Sequence, residues 1–225
     1  RRTVLGRFGK DIALLVGDAL LFDGLALLSN VMRKIEPRKA DLLMSVLRRR
    51  FFELGEAEAM ELRFRGRTDV TPSEYLGVVE KKAADVEAYT HVGAIMGNGS
   101  SAEVRALANY GRSLGMMIIL RDDLADMLEF KTELPQRIMK ESMPLPIVYA
   151  LQTSSKRHIE SILRRRTIGE RDSKLLFQAT ASSGGLQELV RIERTLAMRG
   201  IRSLRKLAGN TSTLELMLRA TVPSV

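Results

Sequence analysis

Apolar residues recur along this chain at the three- and four-residue spacing of helices, and no convincing alternating strand appears. The first helical segment runs from about Asp11 to Lys34 and stops before Glu36-Pro37. The next spans Arg38 to about Arg65, with Gly55 inside it, and Gly66-Arg-Thr-Asp69 forms a turn. Thr71-Pro-Ser-Glu74 is a strong start signal, because Thr71 can cap, Pro72 suits the first helical position and Glu74 completes a capping box. That helix is expected to reach Met96. After the Gly97-Asn-Gly-Ser100 break, Ser100 and Glu103 offer a second capping box, opening a long helix toward Phe130. Residues 129–144 are irregular in pattern. Shorter helices are expected at Pro146–Gln152, His158–Arg166, Ser173–Ala181, Gly185–Leu207 and Ser212–Ala220. No repeat, low-complexity tract or linker is visible. A single all-α domain over residues 1–225 is the simplest organisation.

The helix after Ser100 carries the most informative pattern. From Ala106 to Leu120 its only charge is Arg112, so it reads as a core helix. It then ends in Asp122-Asp123-Leu-Ala-Asp126. Three carboxylates this close repel one another unless a cation sits among them. Asp122 and Asp126 share a face, and Asp123 is turned about 100° away. Gly115 and Ile119 lie on the same face as Asp122, which suggests a pocket with a charged rim. Such a rim suits Mg²⁺, which takes oxygen ligands and bridges to phosphates. A solvated acidic helix end is the bland alternative.

Composition narrows the chemistry. The 225 residues hold no Cys, which removes disulfides and thiolate sites, and His91 and His158 are too few for a zinc centre. Net charge is +9, with basic clusters at Arg48–Arg50, Arg63–Arg67, Arg164–Arg166 and Arg199–Lys206. Nucleic acid, an acidic membrane or a polyanionic small substrate would fit such charge. Aromatic content of 5% with no Trp is poor for stacking bases, so no nucleic-acid partner is expected. Most of these clusters read as solvated helix faces. No uninterrupted apolar run reaches the ~18 residues of a membrane span. Ile12–Met32 comes nearest, broken by Asp18 and Asp23, so no transmembrane segment is expected. The chain starts Arg-Arg-Thr, with no initiator Met and no signal peptide. It is therefore expected to be a fragment.

Several segments fall into one order. They are Phe8–Leu21 with its Gly-Asp-Ala-Leu-Leu, Glu56–Leu62, Glu74-Tyr-Leu, Lys81-Lys82-Ala-Ala and Val92-Gly-Ala-Ile95. Tyr110–Gly115, Arg121–Asp126, Pro144–Leu151 and Ser183-Gly-Gly-Leu186 follow. The series resembles the trans-isoprenyl diphosphate synthases, or polyprenyl synthetases, over almost the whole chain. The resemblance implies an isoprenoid-synthase helical bundle around a central cavity, here lacking its N-terminal helices. It implies a cytoplasmic, Mg²⁺-dependent prenyltransferase that condenses isopentenyl diphosphate with an allylic diphosphate into a longer polyprenyl diphosphate.

By the same resemblance Asp122, Asp123 and Asp126 would hold Mg²⁺ against the leaving diphosphate. Lys81, Lys82, Arg1 and Arg2 would bind the diphosphates. Asp18 and Glu58 match positions near the cavity, with a packing role equally open. For Lys81 a solvated lysine is the alternative. The family is mostly dimeric, and a homodimer is expected here. Met116, Met117 and Leu120 cannot all face the cavity, which suggests a partner subunit to cover them.

The sequence also departs from the family pattern. No first Asp-rich motif is present, and Thr3-Val4 follows Arg1-Arg2 where a Gly-x-Pro spacer usually stands. Lys82 replaces a Thr, Ile119 replaces a Gln, and Glu141–Pro144 replaces a Gly-Lys segment. A non-catalytic or regulatory subunit of a heteromeric synthase is the alternative these changes leave open.

Overall fold

The structure is a computed structural model that describes residues 3–165 and 167–222. Arg1 and Arg2 lie outside the described residues. Among the described residues all regular structure is helical: the chain is all-α. It divides into two compact units, residues 1–45 and 46–225.

The first unit opens with α1 (Val4–Phe8), capped by Thr3, whose hydroxyl accepts from the Gly6 N–H at 3.1 Å. Gly9, at φ 83°, ends α1 and starts α2 (Lys10–Met32); that backbone favours glycine. α2 is apolar on all sides, and none of its residues is buried. By length and composition it could cross a membrane. Asp18 and Asp23, read from the sequence as interruptions, do not take it below that threshold. The unit ends within α3 (Pro37–Leu62).

The second unit is built on α6 (Ser101–Leu128), which packs most extensively against α5 (Ala84–Met96) and α11 (Gly185–Leu204). Capping boxes start α6 at Ser100 and α4 (Pro72–Lys82) at Thr71, as the sequence pattern predicts. The helix expected to run unbroken to Met96 instead breaks at Ala83, giving α4 and α5. Glycines bring α5 and α6 together. A Cβ on Gly111 would lie 2.0 Å from Thr90 Oγ1, and one on Gly115 would lie 2.9 Å from Ala83 Cβ. Gly115 is therefore filled against α5 and does not floor a pocket beneath Asp122.

Arg112, the lone charge in the apolar half of α6, is buried with Glu87 and reaches the half-buried Glu53. It forks onto Glu53 of α3 at 2.8 and 3.1 Å and also bonds Glu87 and the Glu80 carbonyl. Arg50 joins the same cluster through Glu53 and Glu87. Removing one member would strand a buried charge, so the cluster fixes α3, α5 and α6 together. Met116, Met117 and Leu120 are all buried within this chain and need no partner to cover them.

The segment 129–144 is not irregular throughout: α7 (Glu133–Lys140) lies in it, with Leu134, Pro135 and Ile138 turned inward. α8 (Leu145–Ala150), α9 (Lys156–Leu163), α10 (Glu170–Ser182) and α12 (Ser212–Thr221) complete the unit.

Candidate functional site

The carboxylate end of α6 meets α3, α4, α7 and the start of α8. The three aspartates part company there. Asp123 has no exposed surface. Its Oδ1 accepts from Tyr75 Oη at 2.9 Å and Arg137 Nη2 at 3.0 Å. Its Oδ2 accepts from Tyr75 Oη at 2.8 Å and the Leu145 N–H at 3.0 Å. Burial pushes its pKa up to about 6, against the pull of Arg137, the Leu145 amide and Tyr75. Asp126 is half-buried, and Arg137 Nη1 lies 3.4 Å from its Oδ2. Burial again raises its pKa, helped by Glu133, Glu141 and Asp122 and opposed by Arg137. Asp122 is exposed and has no hydrogen bond or ion pair among the described residues.

Arg137 of α7 is the hub. Its Nη1 lies 3.2 Å from Glu141, its Nη2 lies 3.8 Å from Glu61, and its Nε donates to the Ser142 carbonyl at 3.0 Å. These carboxylates hold the guanidinium pKa above its ordinary value although burial opposes it. Among the described residues no three Asp, Glu or His side chains converge as a preformed cation site; Asp123 and Asp126 face the guanidinium, and Asp122 does not.

The two lysines sit at the end of α4. Lys81 pairs with Glu56 at 2.6 Å. Lys82 pairs with Glu58 at 3.3 Å and Glu61 at 2.5 Å. Burial would lower the Lys82 pKa, but Glu61 and Glu58 outweigh it and raise it. Glu61 also accepts from the Ser142 hydroxyl at 2.7 Å. Its pKa falls despite burial, through the bonds from Lys82 and Ser142. Lys82, Glu61, Arg137, Asp123 and Asp126 thus form one connected chain of charges. Beside it Glu58, Glu61, Leu62, Arg65, Lys82 and Glu141 line a recess of about 270 Å³.

Of the residues expected from sequence, Asp123, Asp126, Lys82 and Glu58 are brought into this network. Lys81 and Asp122 sit at its edge. Glu61, Tyr75 and Ser142 lie in segments compared with the family pattern but carry no role there, and Arg137 lies in none of those segments. The local signals for the hub are the i, i+4 spacings of Glu133 with Arg137 and of Arg137 with Glu141, of which the second forms an ion pair.

A bundle of this kind, with an Asp-Asp-x-x-Asp turn closing its central helix, defines a class. The polyprenyl synthetase family matches residues 1–180, and the chain belongs to it. Among its relatives, a short chain isoprenyl diphosphate synthase of Methanothermobacter thermautotrophicus is 30% identical over 177 residues, covering 76% of this chain and 53% of that protein. A geranylgeranyl diphosphate synthase of Methanosarcina mazei is 35% identical over 122 residues, covering 54% of this chain and 37% of its own length. The chain thus spans about half the length, or less, of these curated relatives. The crystal structure of geranylgeranyl pyrophosphate synthetase from Pyrococcus horikoshii superposes with a TM-score of 0.86 at 23% identity, covering 100% of this chain and 72% of that one. At that identity the likeness is one of fold, and the fold is the isoprenyl synthase bundle.

Proposed function

We propose that this protein is a prenyltransferase that condenses isopentenyl diphosphate with an allylic diphosphate. The observation that carries the reading is the family match across residues 1–180, with Asp122 and Asp126 on one face at the end of α6. In the reaction the allylic C–O bond breaks and the diphosphate leaves with the electron pair. The alkene of isopentenyl diphosphate attacks the allylic cation, a C–C bond forms, and a proton is lost. Asp122 and Asp126 are too few to hold a divalent cation alone, but Mg²⁺ is commonly held by one or two carboxylates plus substrate phosphates, so the residues fit it. When bound, Mg²⁺ supplies positive charge against the leaving diphosphate.

Both Asp123 oxygens are already bonded, which supports a positioning role: it locks the end of α6 to α4, α7 and α8. Lys81 and Lys82 would bind diphosphate by exchanging their carboxylate partners for phosphate oxygens. Arg1 and Arg2 remain proposed diphosphate ligands by resemblance alone.

We further propose a homodimer. Support comes from α2, where Leu14, Leu15, Leu20, Phe22, Leu25 and Leu27 are exposed. A cytoplasmic protein without a span is part of the same reading. Asp18 and Asp23 would each cost about 2.5–3.5 kcal/mol near the centre of a membrane helix. Light scattering should give twice the monomer mass, and a clean monomer would remove the dimer.

Labelled isopentenyl diphosphate supplied to the full-length protein with allylic primers tests the activity. Incorporation into longer chains is expected. Its absence with every primer would sink the reading and favour the non-catalytic subunit.

A further inference from the structure

We propose that Arg137 is a positioning residue that occupies the cation's place at the carboxylate end of α6 and releases Asp126 to a metal only when diphosphate is present. This rests on the assignment of Asp122 and Asp126 given above.

Charge is concentrated around Arg137. Glu61, Asp123, Asp126 and Glu141 come from three separate stretches of chain and all approach one guanidinium, at 3.8, 3.0, 3.4 and 3.2 Å. Such a group of carboxylates needs positive charge at its centre. A planar guanidinium can serve several of them at once, where an ammonium is a single point charge. Arg137 is held for this task. Its Nε is fixed on the Ser142 carbonyl, and Leu134, Pro135 and Ile138 anchor α7 in the core.

The contacts are graded. The bond to buried Asp123, at 3.0 Å, is the shorter of the two aspartate contacts. The contact to half-buried Asp126 is 3.4 Å, and that side chain has no other ion pair among the described residues. Arg137 engages only Oδ2 of Asp126, so a divalent cation taking both oxygens would displace one arm of the guanidinium, and one taking Oδ1 alone would still meet its repulsion. Alone, the cation gains only two carboxylates. With diphosphate it gains further oxygens, and the phosphates offset the guanidinium charge. Metal uptake becomes conditional on substrate.

Titrating Mn²⁺ into full-length protein by calorimetry tests this, first alone and then with inorganic pyrophosphate. Without pyrophosphate, Arg137→Met should bind Mn²⁺ about tenfold more tightly than the parent, the scale on which groups around metal ligands change affinity. With pyrophosphate the gap should narrow. Arg137→Lys keeps the charge but not the fork, should fall between, and carries the test if the methionine variant does not fold. A folded variant that binds Mn²⁺ no more tightly than the parent overturns the proposal. A different result would tell against the site assignment instead. If the parent takes up no Mn²⁺ even with pyrophosphate while Arg137→Met gains a site, Asp122 and Asp126 are not diphosphate-dependent metal holders. The role of Arg137 as the resident cation would then stand.

Discussion

Asp122 and Asp123 are adjacent in sequence and opposite in environment. Asp123 has no exposed surface and both of its oxygens are bonded, while Asp122 is exposed with no ion pair among the described residues. The two should fail differently when replaced. Asp122→Ala should cut isopentenyl diphosphate incorporation by about 10²-fold or more, the worth of one electrostatic contact to a transition state. Its unfolding free energy should stay within about 0.5 kcal/mol of the parent. Asp123→Ala should lose about 3 kcal/mol or more in urea unfolding, because Arg137, Tyr75 and the Leu145 amide are left without their acceptor. Equal stability of the two variants would contradict the division of roles.

Ile119 lies one turn before Asp122 and is half-buried against the core. It offers no hydrogen bond to a diphosphate. Ile119→Gln should tighten allylic diphosphate binding by about 1 kcal/mol, roughly fivefold. Titration calorimetry reads this directly, and weaker binding would mean that the surroundings have adapted to an apolar side chain.

The close approach of α5 and α6 can be probed at Gly111. An added methyl would meet Thr90 Oγ1 at 2.0 Å, the Val86 carbonyl at 2.8 Å and Glu87 Cα at 2.9 Å. Gly111→Ala should destabilise by about 1–3 kcal/mol. Gly55, inside α3, has nothing within 4 Å of such a methyl. Gly55→Ala should stabilise by about 0.5–1 kcal/mol through helix propensity. Opposite shifts in melting temperature are expected, and a neutral Gly111→Ala would show that the helices can separate without penalty.

Glu193 of α11 is buried, and neither of its carboxylate oxygens has a hydrogen-bond partner among the described residues. Burial lifts its pKa to about 7, with Arg121 opposing and Asp123 adding. Because the folded value is raised, the folded state holds the proton more tightly than the unfolded chain. Its contribution is fully present below about pH 4, the ordinary glutamate range, and is lost as pH rises through about 7. Glu193→Gln should remove that part of the pH dependence and gain about 1–3 kcal/mol above pH 8. Unfolding curves taken from about pH 4 to about pH 8, across that window, check it. A variant with the parent's pH dependence would refute the assignment.

The pattern of apolar spacing and caps determined most of the helices by itself, though not α1 or α7. Thr71 with Glu74 and Ser100 with Glu103 are local devices, and local chemistry survives folding unchanged. The family was legible too, because its motifs are short runs whose order the sequence preserves. The break at Ala83 was not legible, since Lys81–Ala84 has no helix-breaking residue. The exposed face of α2 and the burial of Met116 and Met117 were decided by tertiary packing, because an apolar stripe does not say what covers it. The candidate site divides in the same way. That Asp122 and Asp126 share a face follows from helix geometry alone. That Asp123 is consumed inside depends on Tyr75, 48 residues away, and on Arg137 from a segment with no clear period. Electrostatic partners are chosen by proximity in space, and along the chain only the i, i+4 spacings of Arg137 with Glu133 and Glu141 are close enough to read.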